Sequence, residues 1–252
     1  MLIKFLILFL FPLVCFPNEI TLGSWNIRNL SYTSRSVSEL GMISLVIQDY
    51  DLIGLQEIND ICSVDKIENI INEDFNRNFD YVSSVDISKC KTDPERFTVF
   101  FNKDIFKFQT SEIYNKIGFS RFPVYFEFKT KNNVRIGLVI FHLVWGSKKQ
   151  RLAEYSKIPD AVKEFSYEKV NLFIMGDFNL PVKTLDKSFI FNEKTTIGSI
   201  SAYDNIKQIG NLKVLSKEVI CLDTIFFTEK TLKNCSKSLS DHRPIKIKLK
   251  VG

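Results

Sequence analysis

Hydrophobic and polar positions follow two rhythms along the chain. Stretches rich in β-branched and aromatic residues predict strands around residues 19–27, 51–57, 80–86, 96–102, 122–129, 134–142, 170–176, 222–228 and 243–250. In some of them the period is two: Phe122, Val124, Phe126 and Phe128 share one face, and Val134, Ile136, Leu138 and Ile140 another, as in antiparallel sheet with one covered side. Leu172, Phe173, Ile174 and Met175 are apolar without a break, which predicts a strand covered on both faces. Helical spacing appears between strands. Ser34 or Ser36 is placed to cap a helix whose stripe is Val37, Leu40, Ile43 and Ile47, and Leu152, Tyr155, Ala161, Val162 and Phe165 form a second stripe, broken near Pro159. The aromatic run from Phe97 to Phe108 has the spacing of core strand. Two packed sheets with helices outside, an α/β class, account for this mixture, and no GxGxxG or Walker loop argues for a nucleotide-binding fold.

Composition narrows the class. A chain of 252 residues, 45% hydrophobic and 25% charged, can bury a substantial core, which excludes disorder, collagen and coiled coil. No repeat or Pro/Gly/Ser-rich linker divides residues 19–252, so 18–252 is read as one domain. Residues 1–17 have the anatomy of a signal peptide: Lys4 is the only charge, an apolar centre follows, and Pro12 interrupts it before the end. The apolar stretch falls short of the roughly 20 residues needed to span a bilayer. A secreted or periplasmic protein without a transmembrane segment is expected, with a lipid on Cys15 as the minor alternative because Val14 and Phe16 fit the small-residue cleavage rule poorly. Loss of Lys4 takes the formal charge from +5 to +4, a mild bias compatible with a polyanionic substrate. Cys62, Cys90, Cys221 and Cys235 then remain, an even count that permits two disulfides; Cys62–Cys90 with Cys221–Cys235 is the sequence-local choice among three.

Polar residues gather where the predicted strands end, at 24–28, 55–58, 93–97, 141–143, 175–179, 222–225 and 240–244. Strand ends are where a sandwich collects side chains from distant sequence into one pocket. Several carboxylates converging on one rim call for a cation, and oxygen ligands select Mg²⁺, Mn²⁺ or Ca²⁺ over zinc. Both histidines of the chain, His142 and His242, fall within these clusters.

The segments Trp25-Asn26, Gln56-Glu57, Gly176-Asp177-Phe178-Asn179 and Ser240-Asp241-His242-Arg243-Pro244 occur in the order found in the endonuclease/exonuclease/phosphatase superfamily, and the chain most resembles its secreted deoxyribonuclease I-like branch over residues 20–249. The resemblance implies a four-layer sandwich, two mixed β-sheets face to face with helices outside. It also implies a metal at Glu57, Asn26 and Asp241; Asp177 and Asn179 holding the phosphate or orienting water; a His242–Asp223 pair and a His142–Glu95 pair for proton transfer; and Arg28 and Arg121 near the scissile phosphate. His142 stands where repair endonucleases of the superfamily usually carry tyrosine. Asp93 and Asn59 occupy positions where mammalian-type deoxyribonuclease I inserts a tyrosine and an arginine into the minor groove, so that grip is unmatched. The function expected from the resemblance is Mg²⁺-assisted endonucleolytic hydrolysis of DNA by a monomer without a stable protein partner. Its alternative is hydrolysis of phospholipid or phosphoinositide head groups, as in sphingomyelinases and inositol phosphatases.

Overall fold

The computed structural model describes residues 18–89, 94–116, 118–165, 167–198, 201–227 and 232–251. The expected signal peptide, Cys15, Cys90 and Asp93 lie outside them.

Two mixed sheets form. The first contains β1 (Glu19–Leu30), β2 (Leu52–Ile58), β3 (Phe79–Ser83), β4 (Arg96–Asn102), β10 (Lys213–Val219) and β11 (Ile245–Lys250), in the order β10-β11-β1-β2-β4-β3. The second contains β5 (Phe106–Ile113), β6 (Val124–Thr130), β7 (Arg135–His142), β8 (Val170–Asp177) and β9 (Asp204–Ile209), ordered β5-β6-β7-β8-β9. Each sheet has one parallel pair, β1 with β2 and β7 with β8, and a parallel pair needs a crossover long enough to return the chain. The crossovers are the helices that the sequence predicts. Helix α1 (Val37–Ile47) starts at a Ser36–Glu39 capping box and returns β1 to β2. Helices α3 (Lys148–Tyr155) and α4 (Ile158–Glu164) return β7 to β8, with the break set by Pro159 in the first turn of α4.

Three apolar layers hold the sandwich. Between the sheets, Leu22, Phe97, Val99 and Ile247 meet Phe126, Phe128, Leu138, Ile140, Phe173 and Met175. On the outer face of the first sheet, Trp25, Leu55 and Phe100 pack under α1 and α2 (Ile61–Glu73) through Leu40, Ile43, Ile67 and Ile71. On the outer face of the second, Tyr125, Val139, Phe141 and Ile174 pack under α4 through Ala161, Val162 and Phe165. The expected four layers are therefore present, and the uninterrupted apolar run of β8 is explained by burial on both faces.

Local pattern failed in identifiable places. The apolar stretch expected as a strand at 222–228 is instead the short helix α5 (Leu222–Ile225), which buries Leu222 and turns Asp223 toward Arg243. Strands β5 and β10 gave no alternation because most of their side chains are exposed at sheet edges. Strand β9 was masked by the polar residues Asp204 and Asn205, which are buried because Asp204 pairs with His242 and Asn205 bonds both the N–H (2.9 Å) and the carbonyl (2.6 Å) of Phe191. The Cys221–Cys235 disulfide is corrected too: both are free thiols, Cys221 Sγ lying 3.8 Å from the Val219 carbonyl while Cys235, on α6 (Leu232–Ser238), is buried in the layer under α1, where burial raises its thiol to about 11. Cys62 is likewise free.

Gly176 is required by the β7–β8 pairing. Its φ of +132° is one that L side chains rarely adopt, and a Cβ there would sit 1.9 Å from the Phe141 carbonyl oxygen. Gly176→Ala should cost about 2–5 kcal/mol, backbone strain and overpacking together, and lower the urea midpoint correspondingly. An unchanged midpoint would mean that the two strands can part to admit a methyl group.

Candidate active site

Both parallel pairs deliver their last residues to the same rim. Register does most of the assembly: His142 on β7 lies opposite Asp177 on β8, and Asp177 opposite Asp204 on β9, so three functional side chains stand in a row across adjacent strands. The facing sheet supplies Asn26 from β1 and Glu57 from β2, together with Glu95 just before β4. Four non-glycine residues here occupy the left-handed region, Arg28 (φ 55°), Asn29 (φ 48°), Glu57 (φ 62°) and Asn179 (φ 49°). Such backbone costs about 1–2 kcal/mol per residue and persists where side chains over-determine it. Here the Glu57 N–H donates to Glu95 Oε1 (3.3 Å), the Asn29 N–H to Glu57 Oε2 (3.0 Å) and the Asn179 N–H to Asp177 Oδ1 (2.8 Å).

Two histidine–carboxylate pairs face one buried carboxylate. His142 Nδ1 is 2.6 Å from Glu95 Oε1, leaving Nε2 directed at Asp177 Oδ2 (3.8 Å) and Glu57 Oε1 (3.7 Å). His242 Nδ1 is 2.8 Å from Asp204 Oδ2, leaving Nε2 3.6 Å from the same Asp177 oxygen. Burial alone would raise Glu95 and lower His142, but their mutual charge and hydrogen bond prevail, so the carboxyl sits below its usual range and the imidazole above its own; Arg121 also holds Glu95 down. Burial likewise works to lower His242, and the charges of Asp204 and Asp177 overcome it, raising the imidazole to about 10.

Asp223 is therefore not the partner of His242, contrary to expectation. It binds Arg243 in a two-pronged pair, Oδ1 to Nε (3.1 Å) and Oδ2 to Nη2 (2.6 Å), which ties α5 to the segment carrying His242. The reason is chain geometry: α5 turns the side chain toward Arg243, whereas β9 places Asp204 directly beside Asp177. Sequence reasoning missed Asp204 because four of the six residues of β9 are polar and give no strand signal. It also missed Glu154, buried on α3, whose carboxylate accepts from the Ser120 N–H (2.6 Å) and the Val144 N–H (2.7 Å) and so positions the loops beside Arg121 and His142. The His242 segment is held by β1, through Trp25 Nε1–H to the His242 carbonyl (3.1 Å) and Ser240 Oγ–H to the Asn26 carbonyl (2.7 Å).

The remaining residues expected at the site line one cleft of about 420 Å³, with Asn26 buried behind it. Arg121 pairs with Glu95, while Arg28 reaches the Ser236 carbonyl and lies 3.7 Å from Asp241. Asn26 Nδ2 donates to Glu57 Oε1 (2.8 Å) and Asp177 Oδ2 (3.1 Å), its own oxygen being taken by the Arg28 N–H (3.0 Å), so in this arrangement it spaces two carboxylates. Glu57, Asp177 and Asp241 give the cleft hard oxygen donors without a thiolate, and buried Asp204 Oδ1 has no hydrogen-bond partner. Asp177, Asp204 and His242 each offer a ligand atom, all within 4.8 Å of one another. A donor set of this kind fits a hard divalent cation.

No family model and no curated protein matches the sequence. Solved structures do match. An endonuclease/exonuclease/phosphatase family protein from Bacteroides thetaiotaomicron superposes with a TM-score of 0.65 at 18% identity, covering 92% of this chain and 98% of the other. TDP2 from Caenorhabditis elegans gives 0.66 at 18%, covering 92% and 75%. The human Nocturnin catalytic domain, solved with bound sulfate, gives 0.65 at 16%, covering 92% and 94%. The fold is that of the endonuclease/exonuclease/phosphatase proteins. Within this fold the parallel strand pairs explain why the recognisable segments cluster: Asn26 and Gln56 face each other at the last in-register position of β1 and β2, and Gly176-Asp177 ends β8 beside His142.

The revised pairing has a spectroscopic consequence. In metal-free protein the His242 ring should titrate near 10 by NMR, fall toward 6.5 in Asp204→Asn and stay high in Asp223→Asn. Because the folded value is raised, its stabilisation is complete below pH 6.5 and is lost as pH rises toward 10. An equal fall in Asp223→Asn would contradict the pairing.

Proposed function

We propose that the chain is an exported, divalent-metal-dependent phosphodiesterase that hydrolyses DNA endonucleolytically. The observation that carries this reading is the convergence of two histidine–carboxylate pairs on Asp177, with Nε2 atoms 3.8 and 3.6 Å from one oxygen, in a cleft flanked by Arg28 and Arg121. Two imidazoles on either side of a common centre suit a reaction that removes one proton and delivers another. A Mg²⁺ ion held by Glu57, with Asp177 and Asp241 as further oxygen donors, would offset charge on the phosphoryl and leaving oxygens.

The chain's own residues do the rest. Arg28 and Arg121 receive the non-bridging oxygens, each guanidinium offering planar, paired donors. Asp177 and Asn179 orient a water for in-line attack on phosphorus. As the new P–O bond forms and the opposite one breaks, one imidazole Nε2 takes the water's proton and the other protonates the leaving oxygen. Glu95 and Asp204 fix each ring with Nδ1 turned away from the substrate and stabilise its charged form. Residues 1–17 support export, and among the described residues no helix is long and apolar enough to cross a membrane. A monomer without a stable protein partner is sufficient, since every named group comes from one chain.

Nicking of supercoiled plasmid in Mg²⁺ tests the reading. Cleavage should be abolished by EDTA and reduced about 10²- to 10⁴-fold in His242→Ala and Asp204→Asn. Absence of cleavage by folded protein, with release of phosphate or phosphocholine from lipid head groups, would replace DNA with the head-group substrate.

A further inference from the structure

Among the described residues, Trp145 is the one large aromatic of the cleft left open to solvent. Three residues beyond His142, it is 69% exposed. An isolated exposed aromatic is ordinary on a protein surface; this one is held in place from below. The Arg151 guanidinium lies 5.5 Å from the ring centroid, and Arg151 Nη1 donates to the Asn179 carbonyl (2.7 Å), so the support under Trp145 is fastened to a residue of the cleft itself. Tyr203 meets Trp145 nearly edge-on, with centroids 6.1 Å apart and planes at 66°. Tyr203 is fixed in turn by its carbonyl, which accepts from the Phe178 N–H (2.9 Å), and by its N–H, which donates to Thr195 Oγ1 (3.0 Å). One face of the indole is thus covered by a cation, one edge is braced, and the ring stands beside the groups proposed to receive the phosphate.

We infer that Trp145 and Tyr203 form a stacking platform for a nucleobase next to the scissile phosphate, and that the preferred substrate is a strand whose bases are unpaired there. The inference rests on the nuclease reading and adds the strand form. A flat ring in a phosphate-binding cleft fits a ligand that carries an anion and an aromatic plane together, and base–aromatic stacking tolerates any sequence because every base has a π-face. In an intact duplex those faces are occupied by neighbouring base pairs. Insertion into a lipid surface fits less well, since Ser147, Lys148, Lys149 and Gln150 follow Trp145 and all are exposed and polar.

The tryptophan content makes the test direct. Of the two tryptophans, Trp25 is fully buried, so quenching on ligand addition that disappears in Trp145→Phe reports Trp145. In EDTA, where strands stay intact, a single-stranded ten-thymidine oligonucleotide should quench emission and bind more tightly than an abasic strand of the same length and charge, or the corresponding duplex. By anisotropy of the labelled strand, Trp145→Ala should bind the thymidine strand at least about five-fold more weakly with abasic binding unchanged, and Trp145→Phe should restore most of the loss. Equal affinity of wild-type protein for the thymidine and abasic strands overturns the platform, and continued plasmid nicking would then leave the nuclease reading intact. Emission shifted by phosphatidylcholine–phosphatidylglycerol vesicles and not by the oligonucleotide overturns it in favour of a lipid surface. Binding of neither strand overturns it as well, and if plasmid nicking is also absent the nuclease reading goes with it.

Discussion

Asp177 is a carboxylate with 1% of its surface exposed, placed where the two sheets of the sandwich converge. Burying such a group costs several kcal/mol unless hydrogen bonds and opposite charge compensate it, and much of the rim is organised around that compensation. One oxygen accepts from the Asn179 N–H; the other accepts from Asn26 and faces both histidines. Each histidine then has a carboxylate of its own, Glu95 or Asp204, and Glu95 also holds Arg121 and the Glu57 N–H. Removing any one partner would leave another buried group unsatisfied, which is why the site behaves as a single network.

Networks of this sort need rigid supports, and the support is sheet register. Adjacent strands bring His142, Asp177 and Asp204 into line without any choice by the side chains. Hydrogen bonds to Glu95, Glu57 and Asp177 hold the left-handed turns at 28–29, 57 and 179, which aim the last side chains of β1 and β2 and the residue after β8 inward. Strain at these turns is borne by the apolar layers behind them, where Phe97, Phe126, Phe173 and Met175 are fully buried. Outer contacts complete the work. Glu154 secures the loops that carry Arg121 and Trp145, and the Asp223–Arg243 pair secures the segment that carries His242.

The two aspartates show how far sequence can be followed. Asp223 follows the apolar run from Val219 to Leu222 and Asp204 opens the polar strand β9, and nothing local to either says which lies beside His242. The choice is made by α5, a single helical turn, and by the β8–β9 register, neither of which local periodicity encodes. In the same way the edge strands β5 and β10 have too few buried side chains to show a period.

What the sequence determined by itself was whatever depends on the immediate environment of each residue. Period-two stripes identified the inner strands, and Ser36 and Pro159 marked helix boundaries. Tertiary structure alone decided which carboxylate each histidine meets, that Cys221 and Cys235 stay apart as thiols, and that Trp145 stands open on a guanidinium. The division has a physical cause: burial and backbone conformation leave their mark on neighbouring residues, whereas partner choice is fixed by strands and turns that are distant in the chain and adjacent only once the sheets have formed.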